Sequence, residues 1–221
     1  MRAQTRPSES PDIDCALCSR LASFRDGNRA KFPDWFNAPV PSFHPDPDSK
    51  PVRLLIVGLA PGLRGANKTG RPFTGDYAGD LLYATLIKYG LAEGSYGAHP
   101  EDGLRLKGTM ITNAVRCVPP ENKPTGAEIT ACRPFLSARI AALPDLRVIL
   151  ALGGIAHGSI LAALGLKKSA WKFGHGSQHR LPDGLMLADS YHCSRYNTNT
   201  GRLTEAMFHS VFENLRPLIG G

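Results

Sequence analysis

No apolar stretch in this 221-residue chain approaches the ~20 residues that a membrane-crossing helix needs, so no membrane span is expected. The opening residues, MRAQTRPSES, lack the apolar centre of a secretory signal, and the sequence predicts a cytoplasmic protein. No internal repeat or low-complexity tract is present, which argues against a solenoid. Acidic residues are in deficit: 19 Asp and Glu face 26 Lys and Arg, a formal charge of +7. That balance favours a polyanionic partner, although a plain solvated basic surface gives the same count. Cysteine is scarce and odd in number, with five in all. In a reducing compartment, four metal ligands and one spare fit that number better than a disulfide framework.

What is present is ordinary for a soluble fold. A hydrophobic content of 42% over 221 residues predicts one domain with its own core, and a monomer is expected. The cysteines fall into two local groups, Cys15 with Cys18 and Cys117 with Cys132, and Cys193 stands apart. One metal centre that ties a terminal arm to a folded core needs this arrangement. Thiolate ligands favour an iron–sulfur cluster or Zn²⁺. The Cys15/Cys18 pair precedes the first expected strand rather than sitting at a strand–helix junction, which argues against a thioredoxin-like redox motif.

Residues 1–14 read as a loose lead-in, and the Pro-rich stretch Pro39 to Pro51 reads as a surface connector. Regular patterning follows. Apolar runs predict buried strands over Arg53–Gly58, Thr109–Val115, Val148–Leu152 and Leu185–Ala188. Helical spacing covers Ala78–Tyr89, about Ile155–Leu164, and Leu203–Leu215. A capping box at Thr125 and Glu128 opens a further helix toward Leu143, which Pro134 is expected to kink or split. Strands alternating with helices predict an α/β fold with a parallel sheet covered on both faces. In such sheets, function gathers where loops leave the carboxyl ends of the strands.

Three of those loops carry unusual chemistry. After the first strand runs GLAPGLRGANKTGRPFTGD (58–76), rich in glycine and ending on Phe73 and Asp76. Lys68 and Thr69 stand in P-loop register from Gly62, but Asn67 replaces the second glycine, and Gly70, Pro72 and Gly75 interrupt the helix that should follow. After the second strand comes a segment with Asn113, Cys117 and Asn122, and after the fourth comes DSYHCSRYNTNTGR with His192. Phe73, Asp76, Asn113, Asn122 and His192 are thus expected at one end of the sheet. An aromatic face, two amides and an imidazole suit a flat nucleobase taken out of its stack.

Three stretches together, GLAPGLRGANKTGRPFTGD (58–76), AVRCVPPENKPT (114–125) and SYHCSRYNTNTGRLT (190–204), resemble the uracil-DNA glycosylase superfamily, as does the spacing of the four paired cysteines. The likeness spans about residues 15–215 and is closer to the iron–sulfur family 5 than to family 4. It implies a three-layer α/β/α sandwich around a four-stranded parallel sheet. It also implies a structural [4Fe–4S] cluster on Cys15, Cys18, Cys117 and Cys132, with zinc as the alternative metal. The implied partner is DNA, single- or double-stranded, containing uracil or other deaminated bases such as hypoxanthine. The implied activity is monofunctional hydrolysis of the bond between base and deoxyribose.

The resemblance also assigns residues. Asp76 matches the catalytic carboxylate, and Phe73 the ring that stacks on the base. His192 matches the residue at uracil O2, and Asn122 an amide implicated in activity. Gly58 and Ala60 lie in the first loop, where Ala60 cannot activate water. Asn113 sits where family 4 reads the uracil edge and some family 5 members carry Ala. Ser194 and Arg195 are expected to contact substrate, with Tyr196 and Arg202 nearby as wedge and phosphate clamp. Cys193 replaces a small apolar residue or Pro, in a loop that would enter the DNA minor groove.

Plainer roles exist for each residue. Asp76 suits a helix N-cap, Phe73 a core position, and Asn113 and Asn122 turns. His192 suits a satisfied buried position, and His157, His175 and His179 read as structural or surface residues, the last two with Lys172 near DNA. A metal-stapled DNA-binding module without catalysis is the competing functional class.

Overall fold

The computed structural model describes residues 8–46 and 48–220. Of the expected lead-in and connector, residues 1–7 and Pro47 lie outside this set. The elements run in order as α1 (Ser19–Lys31), β1 (Leu54–Gly58), α2 (Ala66–Thr69), α3 (Tyr77–Lys88), β2 (Ala92–Glu93), β3 (Arg105–Leu106), β4 (Thr109–Asn113), α4 (Gly126–Ala141), β5 (Val148–Leu152), α5 (Gly154–Ala163), β6 (Gln178–Arg180), β7 (Met186–Ser190), α6 (Arg195–Asn199) and α7 (Glu205–Ile219). The main sheet has the order β4-β1-β5-β7-β6. Its first four strands are parallel, as expected, and β6 adds a fifth, antiparallel edge strand against β7. Three polar residues, Gln178, His179 and Arg180, form β6, so no apolar run announced it.

The β1 run, Leu54-Leu-Ile-Val-Gly58, is buried throughout because both of its faces are covered. Leu54 and Ile56 pack under α3 and α7, through Leu82, Leu86, Phe208 and Phe212. Leu55 and Val57 pack under α4 and α5, through Leu136, Ile140, Ile160 and Leu161. The result is a three-layer α/β/α sandwich. The chain leaves β1 toward β4 and leaves β5 toward β7. Connections therefore diverge between β1 and β5, and a crevice opens at the carboxyl ends there. Register pairs Gly58 with Asn113, so the loops after β1 and β4 start side by side.

Several local expectations change. α4 continues through Pro134 as one helix, since Cys132, Leu136 and Ile140 on either side of it are buried on the same face. The connector is not purely superficial. Pro39, Val40 and Ser42 are buried, and Phe43 bridges Ile111 through two backbone hydrogen bonds. The described part of the lead-in is tied down rather than loose. Glu9 pairs with Arg139 at 2.5 Å, and its carbonyl accepts from the fully buried Arg116 guanidinium. Arg29 in α1 bonds Asp14 and the Ile13 carbonyl. α1 itself escaped prediction because its polar sequence carries few apolar positions to set a period.

Candidate active site

A cavity of about 410 Å³ opens at the carboxyl ends of the strands. Its walls include Ala60, Phe73, Asp76, Asn113, Asn122, His192, Ser194 and Arg195. These eight expected residues therefore reach one cavity. Gly58 lies beneath it as a floor: a Cβ there would collide with the Asn113 Oδ1 and would stand 2.6 Å from the Phe73 ring. Only glycine lets that ring and amide settle on the end of β1.

The first loop is folded to present Phe73 and Asp76. Phe73 takes a positive φ of 53°, a costly conformation for an aromatic residue that surrounding contacts must impose. Arg71 supplies one such contact. It forms a buried bidentate pair with Asp102 at 2.6 and 2.8 Å and bonds Thr74 Oγ1. Its guanidinium lies 5.0–5.9 Å from the ring centroids of Phe43, Tyr83 and Tyr96. The Tyr83 hydroxyl donates to the Pro72 carbonyl at 2.5 Å. The Tyr96 hydroxyl donates to the Phe73 carbonyl and accepts from the Gly75 N–H.

Asp76 does cap a helix: it is the N-cap of α3, and its Oδ1 accepts from the Gly79 N–H at 3.3 Å. The same carboxylate also lines the cavity, wedged against Gly62 and Gly65, where a Cβ would come within 3.2 and 2.5 Å of its Oδ2. Burial raises its pKa, and the Gly79 and Ala78 N–H groups only partly offset that.

His192 faces Phe73, with ring centroids 5.8 Å apart and planes inclined by 29°. Burial alone lowers its pKa to about 4, with no carboxylate opposing the shift, so the ring is neutral at pH 7. The His192 loop is held from behind. Asn197 bonds the His192 carbonyl at 2.8 Å, and Ser194 caps α6 by accepting from the Asn197 N–H. Cys193 turns away from the cavity and from any minor groove. It is fully buried, and its thiol donates to the Ala78 carbonyl at the start of α3.

Asn113 is buried at the end of β4, and its amide makes no hydrogen bond to another described residue, so its polar edge is free for a ligand. Asn122 stands on the rim in a short 3₁₀ turn, exposed and at a positive φ of 58°; the turn reading and the cavity reading both hold. At the mouth, Arg195 stacks over Tyr77 at 5.3 Å, and Tyr196 is 73% exposed. Arg202 instead covers the Tyr191 ring at 4.6 Å. Tyr77 was missed from the sequence, although an aromatic residue directly after Asp76 was a usable signal.

The P-loop alternative does not survive. Asn67 is buried and donates to Asn37, and Lys68 points to the Trp35 ring rather than to the cavity. The helix that follows is only four residues long and ends at Gly70, where φ is +76°.

Behind Ala60, the four paired cysteines face a second, small space with Leu21, Val115 and Phe135. None of the four is in a disulfide. Burial, and then the neighbouring cysteines, push Cys117 up to about 12; burial pushes Cys132 up to about 11. Thiols crowded together and desolvated in this way suit a cationic centre that takes them as thiolates. Ala60 packs on this group, and the Val115 N–H bonds the Leu59 carbonyl, so the cysteine centre abuts the site loops.

The model of the uracil DNA glycosylase superfamily matches residues 44–216. The chain belongs to that superfamily. It is similar to the type-5 uracil-DNA glycosylase of Thermus thermophilus, 47% identical over 93% of this chain and 94% of the relative. A type-5 enzyme of Pyrobaculum aerophilum is 36% identical over 87% of this chain and 83% of the relative. A type-4 uracil-DNA glycosylase of Sulfurisphaera tokodaii is 31% identical over 73% and 70% of the two chains. The superfamily assignment agrees with the architecture and with the position of the cavity.

Proposed function

We propose that this protein is a monofunctional DNA glycosylase that hydrolyses the bond between uracil and deoxyribose in DNA, with other deaminated bases such as hypoxanthine as further substrates. The observation that carries the reading is the convergence of the Phe73 ring, the unpaired Asn113 amide, the neutral His192 and the buried Asp76 on one cavity. The superfamily match and the type-5 relatives support it. No described helix is long and apolar enough to cross a membrane.

The roles follow from the chemistry. Phe73 stacks on the extruded base, and Asn113 pairs with its polar edge. As the glycosidic bond breaks, positive charge develops on the sugar and negative charge on the base. The Asp76 carboxylate faces the cation, orients the attacking water and takes its proton. A carboxylate pKa raised by burial strengthens it as a base. His192 donates a neutral N–H to the carbonyl of the departing anion. Ala60 contributes packing and no proton. Asn122, Ser194 and Arg195 on the rim meet the DNA strand, and the net charge of +7 draws the polyanion in.

Cys15, Cys18, Cys117 and Cys132 would hold a [4Fe–4S] cluster. Four cysteines that line one small space, none of them in a disulfide, offer the all-thiolate set that such a cluster takes, and zinc is the alternative. Holding it, the four cysteines would crosslink the α1 arm to the segments flanking Asn122, and the hydrolysis would rest on the cavity residues.

The test is incubation with uracil-containing oligonucleotides, single-stranded and duplex, followed by alkali. Strand breaks at the uracil positions are expected. Binding to damaged DNA without any abasic product would favour the non-catalytic module instead.

A further inference from the structure

A second cluster of ligating groups lies apart from the cavity and the cysteines. His157 on α5, His179 on β6 and Asp189 on β7 place one donor atom each within 4.8 Å of the others. Asp189 is completely buried and His157 nearly so. The His157 Nε2 lies 3.0 Å from the Trp171 carbonyl, which must accept a proton from it. That bond leaves Nδ1 to face Asp189 Oδ1 at 2.7 Å. Two lone pairs repel at that distance, so the pair shares a proton as it stands; a zinc-class ion, with bonds near 2.0–2.1 Å, would displace that proton and widen the pair to about 3.3 Å.

His179 gives a metal ion reason to take the proton's place. Its Nε2 is buried, has no hydrogen-bond partner and sits 3.5 Å from Asp189 Oδ2. A proton on His157 satisfies the first pair and leaves His179 Nε2 with the 3.5 Å contact to Asp189 Oδ2 and no hydrogen bond, a costly state for a buried nitrogen. A metal ion between the three satisfies all of them. The surroundings match those of a metal ligand set. The Trp171 carbonyl fixes the His157 tautomer, and the Gly174 N–H holds Asp189 Oδ2 at 3.3 Å. The Lys168 ammonium opposes positive charge on His157, and the Asp189 carboxylate outweighs it.

We infer that His157 Nδ1, His179 Nε2 and Asp189 form a second metal site, for a zinc-class divalent cation taken by two imidazoles and a carboxylate. Its place in the fold gives it a role. It fastens the polar edge strand β6 to β7 and α5, three residues before His192 begins the third site loop.

The test measures zinc and iron per chain in the purified protein, equilibrated with equimolar zinc sulfate and desalted, beside His179→Ala. The wild type is expected to carry about one zinc more per chain than the variant, with iron and visible absorption equal in both. Equal zinc in the two overturns the inference. Since the variant could disturb β6, the wild type supplies a second readout. Diffraction at the zinc absorption edge is expected to show an anomalous peak among the three side chains. A proton resonance on His157 Nδ1 in the zinc-equilibrated protein overturns it.

Discussion

The Phe73 ring and the His192 imidazole face each other at 5.8 Å across the cavity, though they come from loops at opposite ends of the sequence. One supplies an apolar face, the other a neutral donor, and both are fixed from behind by contacts that no ligand has to form. A base entering between the loops therefore meets a prepared surface.

Replacing Phe73 with Ala removes the stacking face. Base–aromatic stacking is worth about 1–3 kcal/mol, so kcat/KM on a uracil-containing single strand should fall by about 10- to 100-fold. The protein should also melt lower, because Phe73 is 6% exposed and part of the core. Phe73→Tyr separates the two effects: it keeps the ring and should retain most activity.

Asp76 and His192 set the pH profile. His192 titrates at about 4, so no limb is expected near the ordinary imidazole pKa of 6.5. Burial raises the Asp76 pKa above the ordinary carboxylate value, so kcat/KM should rise with pH on the acid side, where loss of the His192 proton near 4 adds to the same rise. A fall in kcat/KM as pH rises through 6.5 would mean that His192 works as a cation.

The same shift has a cost in stability. A carboxyl whose pKa is higher folded than unfolded stabilises the fold while protonated, below the unfolded pKa, and that contribution is lost as pH rises through the folded pKa. At pH 7 the Asp76 charge therefore weighs against the fold. Asp76→Asn should lose about 10²- to 10⁴-fold in rate yet melt no lower than the wild type at pH 7. Because asparagine caps a helix about as well as aspartate, an unchanged rate in Asp76→Asn would make capping of α3 the residue's main role.

Arg71 and Asp102 brace the loop that carries Phe73 and Asp76. Burial alone would raise the Asp102 pKa, but the Arg71 guanidinium and the Gly97 and Leu104 N–H groups bring it down to about 2. Its stabilisation is therefore present above pH 3.8 and fades as pH falls toward 2. Asp102→Asn leaves the Arg71 charge buried and unpaired, a loss of about 3–5 kcal/mol by denaturant titration, and activity should fall with it.

The sequence made the strand ends legible because β1 and β5 are continuous apolar runs and β4 is rich in β-branched residues, and position after a strand placed Phe73, Asp76, Asn113 and His192 together. It did not reveal the braces. Arg71 and Asp102 are 31 residues apart and look like surface charges until the fold encloses them. Nor did it reveal β6, whose polar residues pair only because β7 offers an edge, or the inward turn of Cys193, which depends on the packing of α3 above it.

The arm should respond to loss of the cysteine centre. Besides the cysteines, Arg20 joins α1 to Glu128 and to the Lys123 carbonyl, one residue from Asn122. Cys132→Ser should lower iron and sulfide content, reduce Tm and make α1 susceptible to proteolysis before the rest of the chain.

The most direct measurement is single-turnover release of free uracil, detected by mass spectrometry, from an oligonucleotide incubated with wild type and with Asp76→Ala. Stoichiometric free uracil and an alkali-labile site are expected from the wild type, with a rate at least about 10²-fold lower in the variant. Absence of free uracil with the wild type, on single-stranded and duplex substrates alike, would contradict the account.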